Sequence, residues 1–256
     1  MTRLRLAALI VFVLAGEAPA AALADQTYSV SGSDTFVIGI NDIHNDVLYR
    51  GAETLTIVRR GQATRYVAKL DCTRTEQGAD SNEKADYVAD ILPSGEQLDA
   101  ADHDPDFLTI LNQPFSVQLD RATLGDLRAL HGSLPFDFPS PMTGSALHGL
   151  LESAGSGLIG SRRALGVKFR AGGPMRGALP ERPGLVLLGN IVMRGTAYYD
   201  VDTALLLALE ATVTITGKLT DRGSPDPVRI VYKRTLRALE PASRDSPIKP
   251  KNSRNS

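Results

Sequence analysis

The sequence contains a single cysteine and no tryptophan, its aromatic content is 5 %, and no apolar run approaches the length of a bilayer. Cys72 has no partner within the chain, so an intrachain disulfide is excluded and stability must come from packing. A lone thiol in an oxidising compartment is expected to be buried, and Cys72 continues the alternating set Tyr66, Ala68 and Leu70. Scarce aromatics exclude a stacking platform for single-stranded nucleic acid or sugars. A formal net charge of −1 over 256 residues removes the case for nucleic acid or an anionic membrane surface as partner. A membrane-spanning helix needs roughly 20 apolar residues in succession, and none is present.

The longest apolar run, Leu6 to Leu14, follows Arg3 and Arg5 and precedes the small-x-small set Ala22-Leu23-Ala24. Positive flank, short apolar segment and small residues together predict a secretory signal peptide over 1–24, cleaved after Ala24. The expected compartment is the periplasm or beyond. Residues 25–239 then form one β-rich domain. Residues 240–256, EPASRDSPIKPKNSRNS, carry almost no apolar content and are expected to be a disordered tail.

What the chain does have is alternation. From 185 to 201 the odd positions are apolar or small apart from Tyr199, while Asn190, Arg194, Thr196 and Asp200 fall on even ones. After a break at Asp200–Thr203, Leu205, Leu207, Leu209, Ala211, Val213 and Ile215 oppose Glu210, Thr212, Thr214 and Thr216. Period two with a short break predicts an antiparallel hairpin over 184–217, the frame for the rest. Short strands are expected at Tyr28–Val30 and Phe36–Ile40 around Ser31–Asp34. A hairpin about Arg60-Gly61 joins 53–59 to 63–73, and further strands follow at 85–92, 97–101, 114–120, 164–170 and 228–239. Helices are expected at 104–111, opened by Asp104-Pro105, and at 123–130. A third is expected over 147–154, where Leu147, Leu150, Leu151 and Ala154 stand at i, i+3, i+4 and i+7 before Gly155. Residues 134–142, with three prolines, read as an extended loop, 155–160 as a flexible connector and 171–184 as a Gly/Pro loop. The fold class is therefore α+β, mainly β: a strongly curved antiparallel sheet or open barrel with two or three short helices packed on one side.

Charge is unevenly placed. Residues 78–106 hold nine acids against Lys84, and 162–194 hold seven bases against Glu181. The plainer reading is two solvated surfaces that face each other. The sharper one is a rim of Arg162, Arg163, Lys168, Arg170 and Arg176 that receives an anionic ligand. No catalytic set emerges. His44, His103, His131 and His148 lack zinc-ligand spacing. Asp102, Asp104 and Asp106 imitate a calcium loop, but Phe107 stands at its glycine position and Gln113 at its final acid position. Ser156 follows Gly155 without the nucleophile-elbow pattern, and the glycines near Arg162-Arg163 match no phosphate loop. No cofactor and no metal are expected.

In its order of strands and helices the chain resembles secreted bacterial β-rich proteins and, more distantly, the periplasmic lipoprotein-carrier family. The family's half-barrel with a helical lid over an apolar cavity implies a carrier. The expectation is thus an exported, non-catalytic binding or carrier protein for an apolar or amphiphilic small molecule. The alternatives are an envelope interaction or assembly factor with a solid core and a protein partner, and an enzyme using His44, Asp42 and Asp46. An open cavity under the sheet favours the carrier, and a close-packed interior favours the interaction factor.

Overall fold

A computed structural model describes residues 22–39, 43–92, 97–102, 119–130, 132–138, 147–179, 182–220 and 225–239. They form eleven strands and one helix. In chain order these are β1 (Ala22–Ile38), β2 (Ile43–Arg60), β3 (Ala63–Glu76), β4 (Ala79–Ile91) and β5 (Gln97–Asp102), then α1 (Arg121–Ala129), followed by β6 (Ser133–Phe138), β7 (Leu147–Ile159), β8 (Arg162–Leu179), β9 (Arg182–Asp200), β10 (Leu206–Thr220) and β11 (Asp226–Ala238). One sheet holds all the strands in the order β5-β4-β3-β2-β1-β11-β10-β9-β8-β7-β6, every pair antiparallel.

Because β1 pairs antiparallel with β11, strand direction alternates outward from that seam on both sides. The two edge strands, β5 and β6, therefore run the same way. A two-residue turn cannot link parallel strands, since the chain must travel back along the sheet first. Between these two strands the described residues hold α1. The sheet is not closed by a β5–β6 pair among the described residues.

Tight turns set the register of the hairpins. Gln77 (φ 51°) and Gly78 (φ 80°) join β3 to β4 with both central residues left-handed, as a type I′ turn requires. Gly61 (φ 61°) and Gly160 (φ 60°) each open a two-residue turn, at β2–β3 and β7–β8. The hairpin expected over 184–217 is present as β9 and β10, with Ala197 opposite Leu209, Met193 opposite Val213 and Ile191 opposite Ile215.

One face of the sheet is the core. Tyr28, Leu55, Ile191, Val213, Ile215 and Leu236 are all 0 % exposed, and Cys72 is buried among them. An enclosed cavity large enough for water would leave accessible area on such residues, so the inner face is closely packed where they stand. The sheet curls over this face. The Tyr28 hydroxyl on β1 donates to the Leu206 carbonyl on β10 at 3.0 Å, and the Arg162 guanidinium on β8 reaches the Gln26 side chain on β1 at 3.4 Å. Leu124 and Leu127 of α1 join the same core.

Several expectations are corrected. A single helix is found among the described residues where two or three short helices were expected. It is capped by Asp120, whose carboxylate accepts from the Thr123 amide at 2.7 Å. The segment 147–154 is strand, not helix: Leu147 and Leu151 are buried and His148 and Glu152 exposed. A spacing of four residues fits both periods, and pairing with β8 decides between them. Ala154 is the extra residue of a bulge within β7, beside Gly155 (φ 93°), which pairs with Gly166, so 155–160 is no connector. Most of 171–184 is strand as well, and Leu134–Phe138 lie in edge strand β6, where Pro135 is tolerated. The two short strands expected in 28–40 are one strand, because Gly32 lies flat against β11: a Cβ there would stand 2.2 Å from the Lys233 carbonyl. The helix expected at 104–111, most of the strand expected at 114–120, the tail 240–256 and the leader up to residue 21 lie outside the described residues.

Candidate functional site

The outer face carries the candidate site. A groove of about 680 Å³ runs across β7 to β11, and its floor is the backbone of Phe169, Gly195, Ala211 and Arg234. Antiparallel register aligns the two rows of side chains that flank this floor. In one row Leu150 opposes Arg170, Arg170 opposes Arg194, Arg194 opposes Thr212, and Thr212 opposes Lys233. In the other, Glu152 opposes Lys168, which opposes Thr196, then Glu210 and Thr235. The first row thus holds three cations and no acid. Arg170 and Arg194 are directly opposed, an arrangement that disfavours the sheet by about 0.2–1 kcal/mol when nothing neutralises it. Among the described residues Lys168, Arg170, Arg194 and Lys233 make no ion pair, whereas Glu210 is held by Arg237 at 3.1 Å. The volume lies within the range of about 300–1,000 Å³ usual for small-molecule sites.

The five residues read from the sequence as a basic rim for an anionic ligand are therefore divided. Lys168 and Arg170 line the groove. Arg162 is engaged at the β9–β10 turn, 3.1 Å from Asp200, and Arg163 reaches Asp202 at 2.8 Å. Arg176 stands further along β8, opposite Leu188. Arg194 and Lys233 complete the row and were missed. Arg194 lay on the polar side of its strand in the sequence, but its place opposite Arg170 follows from the β8–β9 register, and Lys233 arrives through two further pairings.

The acidic stretch finds its partners close by. Asp90 on β4 accepts a bidentate pair from Arg65 (2.8 and 2.7 Å) and a bond from Arg60 (3.1 Å), and the Arg65 hydrogen bonds in particular hold its pKa below the usual range. Lys84 pairs with Asp71, and Glu83 with Arg74. Asp46 accepts from Thr35 at 2.7 Å, and His44 lies on β2 opposite Val37. Asp42, Asp104 and Asp106 lie outside the described residues. His148 is exposed on β7, 2.7 Å from Asp137. Among the described residues no three His, Cys, Asp or Glu side chains converge as a metal site.

Under the groove floor the core contains a charged pair. Arg234 is fully buried and forks onto Asp34, with one of the two bonds at 3.0 Å, while its guanidinium lies 4.5 Å from the Tyr49 ring. Burial works against the Arg234 charge, and Asp34 more than reverses this, holding the guanidinium protonated. Gly32 makes the space, since a Cβ there would lie 2.6 Å from the Arg234 Cδ. Glu53 is also fully buried, opposite Tyr28 and Leu70, and neither carboxylate oxygen has a hydrogen-bond partner among the described residues. Burial raises its pKa well above the usual carboxylate range, so the group is neutral.

No protein-family model matches the chain, and no curated protein matches it in sequence. Among solved structures it is similar to lipovitellin, from a study of lipid–protein interactions in that protein, with a TM-score of 0.40 and 12 % identity over 87 % of this chain. The match spans 26 % of the lipovitellin chain. In architecture the chain is a large, open, mainly β antiparallel sheet with one described helix and no helix long and apolar enough to cross a membrane among the described residues.

Proposed function

We propose that the protein is an exported, non-catalytic binding or carrier protein that holds an anionic ligand in the groove on the outer face of its sheet. The observation that carries this reading is the row Arg170, Arg194 and Lys233: three cations registered across four strands without an acid among them. A bound phosphate or carboxylate relieves the opposition of the two arginines and accepts hydrogen bonds from their planar forks. The groove's polar side chains are threonine, glutamate, lysine and arginine, which supply anion recognition without an evident nucleophile and base. The leader-like residues 1–24 support export.

The sequence reading placed the ligand in an apolar cavity beneath the sheet. The close-packed inner face supports placing it outside instead, and by the same token favours a second reading, a solid-core envelope factor that meets a protein partner. Native mass spectrometry of the protein from its own cell envelope, purified without detergent, separates the two. The expected result is a reproducible bound mass, lost in the R170A/R194A double variant, on a chain beginning at Asp25. A clean unliganded mass, together with no response of the protein to millimolar inorganic phosphate, overturns the carrier reading and moves the search to protein partners.

A further inference from the structure

A second groove, of about 470 Å³, adjoins the first and shares Leu150 and Arg170 with it. Its other lining residues are His148, Gly149, Ala171, Gly172 and Val192. The outward-facing row here reads His148, Gly172, Val192 and Thr214, so the charged surface gives way to an apolar strip one step from the arginines. Same-face rows along a strand are about 7 Å apart. Val192 is 51 % exposed, and Leu150, which lines the same groove, is half-buried. Gly172 keeps the strip open, since a Cβ there would stand 2.9 Å from the Ile191 carbonyl oxygen and 3.7 Å from the Val192 Cγ2.

We infer that the groove takes a single-chain anionic amphiphile, its phosphate or carboxylate head on Arg170, Arg194 and Lys233 and its chain along Leu150, Gly172 and Val192. The inference rests on the anion-binding reading and adds the chain. Cations that make no ion pair among the described residues select the head by charge complementarity. The exposed Val192 and the glycine gap beside it have no role in holding a simple anion, but a hydrocarbon chain covers both and gains up to about fourfold in affinity for each methylene buried.

The test is isothermal titration of the full chain with ethyl phosphate and with decyl phosphate below its micelle concentration, alongside sedimentation with vesicles of phosphatidylglycerol or phosphatidylcholine. Decyl phosphate is expected to bind at least tenfold more tightly than ethyl phosphate. Val192→Asn, at an exposed position, is expected to remove most of that difference and to leave ethyl phosphate within about twofold. R170A/R194A is expected to lose both ligands. Equal affinity for the two phosphates overturns the amphiphile and leaves the anion site standing. Absence of binding by either overturns both readings. Binding to phosphatidylglycerol vesicles without binding of monomeric decyl phosphate also overturns the inference, and assigns the row to a membrane surface.

Discussion

At the scale of single residues, the interior contains two solutions to the problem of a buried charge. Arg234 keeps its charge by forking onto Asp34 against Tyr49, while at Asp34 burial outweighs the help of the guanidinium and raises the carboxyl above its ordinary value. Glu53 has no such partner among the described residues and gives its charge up. The sign of the resulting pH effect follows from proton linkage. In the unfolded chain Glu53 titrates near its ordinary value of 4.5, whereas burial lifts the folded-state value well above that. Between the two, the folded state binds the extra proton, so stability is full below about 4.5 and falls as pH rises, by up to about tenfold in the folding constant per pH unit. Glu53→Gln removes this slope. Urea denaturation at pH 5, 6 and 7 is expected to show the variant gaining on the parent as pH climbs, and a stability difference that does not change with pH contradicts the assignment.

At the scale of elements, the β9–β10 hairpin depends on the residue that ends its first strand. The Asp200 carboxylate accepts from the Asp202 and Thr203 amides at 2.8 and 2.9 Å and meets Arg162 at 3.1 Å. Burial works against the ionised form, but the Thr203 and Asp202 amides with Arg162 more than offset it, and the pKa is lowered. Asp200→Ala leaves two turn amides without their acceptor and is expected to cost about 1–3 kcal/mol at pH 7. Because the folded pKa is depressed, this contribution exists above the unfolded value of about 3.9 and fades as pH falls through the folded one. Thermal melts at pH 7 and pH 3 should therefore show parent and variant drawing together in acid.

The same scale shows where reading by period succeeds and fails. In β9 and β10 the buried and exposed positions alternate over many residues, and no helical spacing fits them. In β7 only Leu147 and Leu151 reach the core, and two positions four apart cannot distinguish a strand from a helix. The prolines of 134–142 mark a loop in the sequence, yet Pro135 lies in edge strand β6, a position where proline is tolerated.

At the scale of the whole molecule, eleven strands with an antiparallel β1–β11 seam require one return of the chain between β5 and β6, where the described residues hold α1. The curl toward the core leaves the other face with the charges, and register stacks them. If Arg170 and Arg194 oppose each other for the sake of a ligand, the unliganded sheet carries that strain. Arg170→Thr is expected to raise its stability by about 0.2–1 kcal/mol in low salt. It should also abolish the thermal stabilisation that inorganic phosphate gives the parent. Calorimetric melts with and without phosphate check both signs, and a variant less stable than the parent argues for a structural role of the arginine.

The sequence alone determined the alternating frame of β9 and β10, the glycine turn at Gly61, the buried place of Cys72 and the mainly β class. These are local properties: period, propensity and left-handed backbone are set within a few residues of each other. Only the tertiary structure decided that 147–154 is a strand, that Arg162 and Arg163 on β8 pair with acids at the β9–β10 turn, and that Arg170, Arg194 and Lys233 form one row. The physical reason is that cross-strand neighbours are set by register, and register links residues far apart in the chain through hydrogen bonds that no single segment specifies.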